Sequence, residues 1–322
     1  MNISSPPLDL TAVREMYDLW KLAFGPDIEP DISSELLAGS EMNENNFRVY
    51  SEIVSDQIAA TAIVVSPLEL PELGALAEVA THPEFRNRGL ASGLCRQLLE
   101  DFRQQGGEAM FLGTVNPRAA SIYERFGWSH IPDTKLMVHL ADRSDPKEYL
   151  NDYFAGLEPL EVGIADAKSR IPIIPLIISP HDWSVLDANV SMFSTRTERQ
   201  VSCLGLYNRY NSLRETGTGE WFTLLTKEGK ILGISSAAQT GESSYQIDGF
   251  CHVSCPDYFQ ELIQTASRWC SDNGASEITM KLSAEDRAKS GLIESIGFRN
   301  SKSEGSFQYG EKTVSAVTYT LS

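Results

Sequence analysis

The stretch "ALAEVATHPEFRNRGLASGLCRQLLEDF", residues 75–102, passes from a strand pattern through a polar turn into a helix pattern. Its first part is short, apolar and bounded by polar residues, which favours a buried strand. Apolar residues then recur every four positions, at Leu90, Leu94, Leu98 and Phe102. This spacing predicts one apolar face of an amphipathic helix. The turn "RNRGLA", residues 86–91, therefore lies where a helix begins.

This turn has the chemistry of an anion site. A helix N-terminus has unpaired N–H groups and a partial positive charge, so it can hold a phosphate. Gly89 removes a side chain where a ligand would approach, and Arg86 and Arg88 add positive charge. The stretch is not a P-loop and lacks the glycine spacing of a dinucleotide fingerprint. The residues alone leave two interpretations open, a phosphate cradle or a turn that contains a glycine.

The rest of the first half predicts a mixed α/β order. Residues 9–24 have helical spacing, "SSELLAG" suggests a short helix, and Ser55-Asp56 separates two strand-like runs of a hairpin. "AMFLGT" predicts a buried strand. "NPRAASIYERFGW" predicts a helix with Asn116 as its N-cap, and "TKLMVHL" a last strand.

The same order returns in the second half, which indicates an internal repeat. Phe126-Gly127-Trp128 corresponds to Ile296-Gly297-Phe298, an offset of 170 residues. That offset also places "AMFLGT" on "TMKLSA" and "ALAEVATH" on "YQIDGFCH". Two copies of one α/β unit explain the pattern, with domains expected at 1–145 and 146–322.

The first copy resembles a known family. Arg86-x-x-Gly89-x-Ala91, after a strand and opening a helix, is similar to the Q/R-x-x-G-x-G/A motif of the GNAT N-acetyltransferases, although many members have Gly at the position of Ala91. Asn116, Tyr123 and "FGW" follow at the expected distance, and the resemblance covers about residues 1–141. It implies an α/β (α+β) fold of two tandem GNAT-like domains, each a mixed, mostly antiparallel twisted sheet flanked by helices.

The resemblance also implies acetyl-CoA as the acyl-donor substrate. Its pantetheine is expected along the strand formed by Val79, Ala80 and Thr81. Its pyrophosphate is expected on backbone amides of the turn, at Arg86, Asn87, Arg88, Gly89, Leu90 and Ala91. Asn116 and Ala119 are further expected contacts of the cofactor.

Acetyl transfer to an amine needs a base for the amine and a proton donor for the departing thiolate. The resemblance implies that Tyr123 is the acid, and the alternative is that Tyr123 only packs. Glu78 is the candidate base because a carboxylate that interrupts an apolar strand is unfavourable unless it is paired or used. Glu78 could instead bind a substrate cation or point to solvent. His82, before a proline, is a turn residue or a second candidate base.

The second copy lacks most of these residues. With the same offset, Arg86, Gly89, Ala91, Asn116 and Tyr123 correspond to Pro256, Phe259, Glu261, Asp286 and Ile293. A ring and a carboxylate thus stand where pyrophosphate would bind, and Asp286 keeps only a helix cap. The second domain is therefore expected to lack the pyrophosphate motif. Asp248, the counterpart of Glu78, could line a cleft between the halves.

The composition limits the classes of binding partner and the expected cellular location. The 27 Lys and Arg against 44 Asp and Glu give a formal net charge of −17, which disfavours nucleic acid as a partner. The charge would attract a cationic substrate such as an amine, although solubility alone accounts for most of it. No apolar run is long enough to span a membrane, and the N-terminus lacks a secretory pattern, so a cytoplasmic location is expected. The 5 cysteines are expected to be small buried residues, without a metal site.

These observations favour an acetyl-CoA-dependent N-acetyltransferase. It would transfer acetyl directly, in a ternary complex, to the amine of a small molecule, as a monomer or homodimer. Two alternatives remain, a non-catalytic acyl-CoA-binding or sensing protein and an acetyltransferase that acts on a protein amine. The residues expected near the acceptor, about 20–45, contain no motif that identifies it.

Overall fold

The computed structural model describes residues 1–27, 29–142, 144–302, 305–309 and 312–321. The chain forms two compact units. Unit 1 comprises Met1–Tyr149 and Val201–Gly205, and unit 2 comprises Leu150–Gln200 and Leu206–Ser322. The division thus falls after Tyr149, inside a helix, rather than at 145/146. The sequence also gave no sign that Val201–Gly205 packs with unit 1.

Unit 1 is a seven-stranded sheet with helices on both faces. Its elements are β1 (Asn2–Ser4), α1 (Leu10–Phe24), α2 (Ser34–Leu37), β2 (Asn45–Val54), β3 (Gln57–Pro67), β4 (Leu73–Thr81), α3 (Leu90–Gln104), β5 (Ala109–Gly113), α4 (Pro117–Arg125), β6 (Trp128–His130) and β7 (Leu136–Leu140). The strand order is β1-β2-β3-β4-β5-β7-β6, and α5 (Pro146–Tyr153) crosses into unit 2. β4 and β5 are parallel and the other neighbours antiparallel, which confirms the predicted mixed, mostly antiparallel sheet.

Helices and a hairpin begin or turn where the local sequence patterns predict. Asp9 caps α1 by accepting a hydrogen bond from the Thr11 N–H at 2.7 Å. Ser55 and Asp56 turn the β2–β3 hairpin with positive φ angles of 51° and 61°, as a tight two-residue turn requires. α3 begins after Gly89 as predicted.

Two helices cover opposite faces of the sheet. Buried side chains of α3, including Leu94 and Leu98, form one cluster with Ala60 and Ala62 of β3. Thr61 lies between those alanines and so points to the other face, because side chains alternate along a strand. There it accepts a hydrogen bond from the Trp20 indole N–H of α1 at 2.9 Å.

The sheet opens between its two parallel strands. β4 and β5 pair only over Leu73–Ala75 and Ala109–Phe111 within the described chain. β4 then continues to Thr81 beside β3, while β5 continues to Gly113 beside β7. The strands therefore part next to the start of α3, and the predicted site residues lie around this opening.

Unit 2 has a second sheet of similar order. Its elements are β8 (Pro159–Ile164), α6 (Ile173–Ile178), β9 (Val185–Asp187), β10 (Met192–Phe193), α7 (Gly205–Glu215), β11 (Gly219–Thr226), β12 (Ile231–Gln239), β13 (Ser244–Cys251), α8 (Phe259–Asp272), β14 (Glu277–Ser283), α9 (Arg287–Ser295), β15 (Phe298–Lys302), β16 (Ser306–Tyr309) and β17 (Lys312–Leu321). The main sheet runs β15-β17-β14-β13-β12-β11-β8, with β13 and β14 parallel. α9 has the same length as α4, at the offset that the sequence repeat predicts.

Candidate functional site

The start of α3 is exposed and shaped for a close approach. Gly89 adopts the left-handed conformation with φ 78°, and no side chain of the described residues caps the helix. A Cβ added to Gly89 would meet nothing within 4 Å, so the space in front of the turn is open. The N–H groups of the first turn are therefore available to an anion.

The two arginines of the turn bind its own backbone. The Arg86 Nε donates to the Thr81 carbonyl at 3.3 Å, which links the turn to the end of β4. Arg88 donates to the Glu84 carbonyl at 3.2 Å and lies 5.0 Å from the centre of the Phe85 ring. Both side chains are exposed. They stabilise the turn and keep positive charge beside the helix N-terminus.

A β-bulge interrupts β4 at Glu78. Ala77 pairs with Ile63 and Ala80 with Thr61, so Glu78 and Val79 together stand opposite one residue of β3. Glu78 has a φ of 49°, in the left-handed region. The extra residue changes which side chains share a face. Val79 and Leu76, three positions apart, both pack on the α3 side.

A chain of hydrogen bonds holds the bulge. The Thr61 hydroxyl, which accepts from Trp20, donates to the Glu78 carbonyl at 2.9 Å. The backbone N–H groups of Asp31 and Ile32 donate to Oε1 of Glu78 at 2.9 and 3.4 Å. A left-handed non-glycine residue costs on the order of 1–3 kcal/mol and persists only where its surroundings hold it, which is common at functional sites.

The environment of Glu78 gives its carboxyl group a pKa near neutrality. Burial, followed by the negative charge of Asp31, raises the pKa of Glu78 to about 7, while the N–H groups of Asp31 and Ile32 oppose the shift. A carboxylate with this pKa can accept a proton at physiological pH and release it again. The pKa thus suits a general base.

Tyr123 lies on α4 in the cluster that α3 covers. Its side chain is only 7% exposed, and its ring lies 5.9 Å from that of Trp128. Burial, followed by the nearby Cys95 thiol, raises the pKa of Tyr123 above its usual value, so the hydroxyl keeps its proton. Val79, Leu90 and Ala119 are partly buried against the same cluster. The structure thus brings together predicted site residues from β4, α3 and α4.

The other predicted residues occupy several positions around the opening. Ala80 and Thr81 pair with β3, whereas Asn87 and Gly89 are exposed and Ala91 is partly exposed in the first turn of α3. Asn116 caps α4, with its Oδ1 accepting from the Arg118 N–H at 3.0 Å. No pattern in the sequence indicates that Asp31, Thr61 or Trp20 would be partners of Glu78.

His82 is a turn residue. Its Nδ1 accepts from the Glu84 N–H at 3.3 Å at the start of a short 3-10 turn, Pro83–Phe85. Its ring lies 5.5 Å from that of Phe85. The structure therefore favours the turn interpretation over a role as base.

The counterpart of Glu78 in unit 2 is a buried structural charge. Asp248 lies on β13, which pairs with β12 without a bulge. Its carboxylate meets the Lys289 ammonium at 2.6 Å, and both side chains are 0% exposed. Lys289 stands at the position of Ala119 and also donates to the carbonyls of Val185 and Leu186 on β9, at 3.2 and 3.0 Å. The expectation that Asp248 lines a cleft is wrong, because lysine and β9 surround it.

Two other counterparts also serve the packing of unit 2. The Asp286 carboxylate accepts from the N–H groups of Ser184 and Val185 at 2.7 and 3.0 Å, and makes no side-chain cap to α9. The predicted cap is thus wrong, because the two N–H groups next to β9 take the carboxylate instead. Phe259, at the position of Gly89, is buried with its ring 5.1 Å from Trp183. An aromatic pair therefore fills the start of α8.

The cysteines and the other potential metal ligands of the described residues form no second candidate site. All five cysteines are buried, as predicted. Within the described residues, no group of three or more His, Cys, Asp or Glu side chains is placed to hold a metal ion. In that same part of the chain, no helix is long and apolar enough to cross a membrane.

One protein-family model matches a part of unit 1. Residues 7–131 match the family model described as the acetyltransferase (GNAT) domain. This range begins before α1, ends after β6 and contains the bulge and the start of α3. No curated protein sequence matches the chain.

Solved structures of acetyltransferases resemble part of the chain. An N-acetyltransferase from Staphylococcus aureus Mu50 is 9% identical, with a TM-score of 0.40, over 51% of this chain and 98% of that one. A GNAT-family acetyltransferase from Streptococcus pneumoniae is 12% identical, with a TM-score of 0.39, over 51% and 98%. Mutant forms of a spermidine/spermine N-acetyltransferase from Vibrio cholerae are 13% identical, with a TM-score of 0.33, over 37% and 76%.

Replacing Asp31 with Asn tests the electrostatics around Glu78. The change removes a negative charge that raises the pKa of Glu78 and keeps the backbone N–H that binds it. We expect the pKa of Glu78 to fall below about 7 and to stay above the ordinary glutamate value of 4.5, because burial, the larger cause, remains. The titration can be followed by NMR of ¹³C-labelled glutamate. Asp27→Asn, a change at an exposed residue of the same loop, should leave the pKa of Glu78 unaltered.

Replacing Lys289 with Met tests the buried charge pair of unit 2. The change leaves the Asp248 carboxylate buried without its cation, which costs about 3–5 kcal/mol in comparable pairs. Calorimetry of the full chain should therefore show a lower melting temperature for unit 2. Lys312→Met, which breaks an exposed pair with Glu285, should have little effect. Equal effects of the two changes would contradict the structural role of Lys289.

Proposed function

We propose that unit 1, in which residues 7–131 match the acetyltransferase (GNAT) domain model, transfers an acetyl group from acetyl-CoA to the amine of a small molecule, directly and in a ternary complex. The observation that supports this most strongly is the bulge of β4. At this bulge, Glu78, a carboxyl group with a pKa of about 7, lies beside the opening between β4 and β5. The uncapped start of α3 follows the same strand.

The residues around the opening fit acetyl-CoA. The N–H groups from Arg86 to Ala91 would hold the pyrophosphate, because an added Cβ at Gly89 meets open space and the turn has no side-chain cap in the described structure. The edge of β4 at Val79, Ala80 and Thr81, beyond its pairing with β5, would bind the pantetheine amides. Asn116 and Ala119, at the start of α4, would complete the contacts.

Each catalytic residue has one task. Acetyl-CoA supplies an activated thioester when it is bound. Glu78, with a pKa of about 7, takes the proton that the acceptor ammonium must lose before its nitrogen can attack. Tyr123 carries its proton at neutral pH and donates it to the departing sulfur, although burial, which raises its pKa, makes it a weaker acid. Asp31 and the net charge of −17 favour a cationic amine as acceptor.

One observation favours a second candidate, a protein that binds or senses acyl-CoA without catalysis. In both units, a loop N–H donates to the carboxylate of the strand, at 2.9 Å from Asp31 to Glu78 and at 2.8 Å from Ala188 to Asp248. In unit 2 this carboxylate is structural. In this alternative, Glu78 only binds the loop that contains Asp31, and Tyr123 only packs in the buried cluster.

We propose no acyl-CoA site in unit 2. Lys289 and β9 occupy the space beside Asp248, and Phe259 with Trp183 fills the start of α8. Its role would be structural.

Release of CoA thiol during incubation with acetyl-CoA and a panel of amines tests the function. The panel should include diamines, polyamines, aminoglycosides, amino acids and lysine peptides. Release with a small amine, confirmed by mass spectrometry of the acetylated product, is expected. Binding of acetyl-CoA without release for any amine would favour the sensor, and release only with peptides would favour a protein acceptor.

Replacing Ala91 with Glu tests the phosphate cradle. The new carboxylate copies Glu261 of unit 2 and repels the pyrophosphate, whereas a negative charge in the first turn stabilises a helix. We expect the affinity for acetyl-CoA to fall by at least about tenfold, or roughly 1.4 kcal/mol, without loss of melting temperature. Isothermal titration calorimetry measures the affinity. Gln104→Glu, at the other end of α3, adds the same charge and should bind acetyl-CoA like the wild type.

Replacing Tyr123 with Phe separates catalysis from packing. The change removes one hydroxyl and keeps the ring against Trp128. If Tyr123 is the acid, kcat should fall by about 10²-fold while the affinity for acetyl-CoA stays nearly constant. Tyr50→Phe, in the same buried cluster, is the matched control and should keep its kcat. A Tyr123→Phe enzyme with wild-type kcat would assign the residue to packing.

A further inference from the structure

A short segment from far along the chain is built into unit 1. Val201–Gly205 packs with this unit, and within it Cys203 and Leu204 are only 3% and 0% exposed. Gly113, at the end of β5, admits the segment, because a Cβ added there would clash with the Val201 carbonyl oxygen. The Gly113 N–H in turn lies near the Cys203 thiol. The segment therefore contacts β5 at the end that borders the opening of the sheet.

The segment reaches Glu78 through two hydrogen bonds. The Ser202 hydroxyl donates to Oδ2 of Asp31 at 2.7 Å. It also accepts from the Gly205 N–H at 3.0 Å, which fixes its orientation. Asp31 in turn uses its backbone N–H to bind Oε1 of Glu78 at 2.9 Å. One residue thus links the segment to the carboxyl group.

We propose that Ser202 is a positioning residue for Glu78. The inference rests on the proposed function, which makes Glu78 the base. The Ser202 hydroxyl holds the Asp31 carboxylate, so the N–H groups of Asp31 and Ile32 stay directed at Glu78. A hydrogen bond to a charged group is among the stronger ones in proteins, which suits this task.

The charges around Glu78 set the direction of the effect. Asp31 faces it from the loop, and Tyr17 of α1 experiences the charges of Glu78, Glu35 and Glu29. Without the Ser202 hydroxyl, the Asp31 carboxylate loses a hydrogen bond that offsets part of its negative charge. The backbone N–H of Asp31 is then also held less firmly towards Glu78. Both changes raise the pKa of Glu78. Ser202→Ala and Asp31→Asn should therefore move this pKa in opposite directions.

The experiment compares Ser202→Ala with Ser202→Thr in the full chain. The carboxyl group of Glu78 is titrated by NMR of ¹³C-labelled glutamate, and its signal is assigned by its loss in Glu78→Gln. We expect the midpoint to rise by about half a pH unit in Ser202→Ala, which lowers the ionised fraction at pH 7 about twofold. Ser202→Thr keeps the hydroxyl and should titrate like the wild type.

Two further measurements test the same link. Gly113→Ala displaces the segment Val201–Gly205, while Ser202 and Asp31 keep their side chains. We expect this change to shift the titration midpoint of Glu78 in the same direction as Ser202→Ala. With an amine acceptor, Ser202→Ala should move the acid limb of the kcat/KM profile upward, with a loss that is larger at pH 7 than at pH 9. The affinity for acetyl-CoA should stay within about twofold, because the linkage runs to Glu78 and not to α3.

The outcomes separate the positioning role from the proposed function. An unchanged titration in Ser202→Ala, or an equal shift in Ser202→Ala and Ser202→Thr, would overturn the positioning role. If the wild type acetylates no amine, the proposed function fails, and the titration still decides whether Ser202 controls Glu78. A shifted titration together with a shifted activity profile supports both.

Discussion

The bulge of β4 is the constraint on which the site of unit 1 depends. Without it, strand alternation would place Leu76 and Val79 on opposite faces, and Val79 would leave the cluster that contains Tyr123. The strained Glu78 that makes the bulge is held from both sides, by the Thr61 hydroxyl at its carbonyl and by loop N–H groups at its carboxylate. The fold thus stabilises a backbone conformation that is unfavourable alone.

Comparison of the two units separates fold from site. Both units have parallel central strands that pair over three residues, followed by a helix at matching positions. In unit 2 the strand is regular, and a lysine pairs with the carboxylate that replaces Glu78. Burial raises the pKa of Asp248, and the Lys289 ammonium opposes that shift. The same scaffold therefore holds a carboxyl group bound by loop N–H groups in one copy and one paired with a lysine in the other.

Much of the fold was predictable because its signals are local. Helical spacing placed α1 and α3, the Ser55-Asp56 turn placed the first hairpin, and the offset of 170 residues placed α9. Glu78 was recognisable as an unusual residue in an apolar strand. The bulge was not predictable, because a glutamate has no preference for positive φ and its conformation depends on Trp20, Thr61 and Asp31 in three other elements.

Contacts between distant parts of the chain explain what the sequence did not reveal. Ser202 lies in a segment without a motif, and only the folded chain brings its hydroxyl to Asp31. The Asp286 cap was a reasonable local expectation, yet the carboxylate accepts from the N–H groups of Ser184 and Val185 instead. In both units the loop or strand that follows the first helical segment donates to the carboxylate on the central strand. In both units a buried carboxylate on the central strand therefore docks a loop. In unit 1, the burial that this docking requires is also the largest cause of the raised pKa of Glu78.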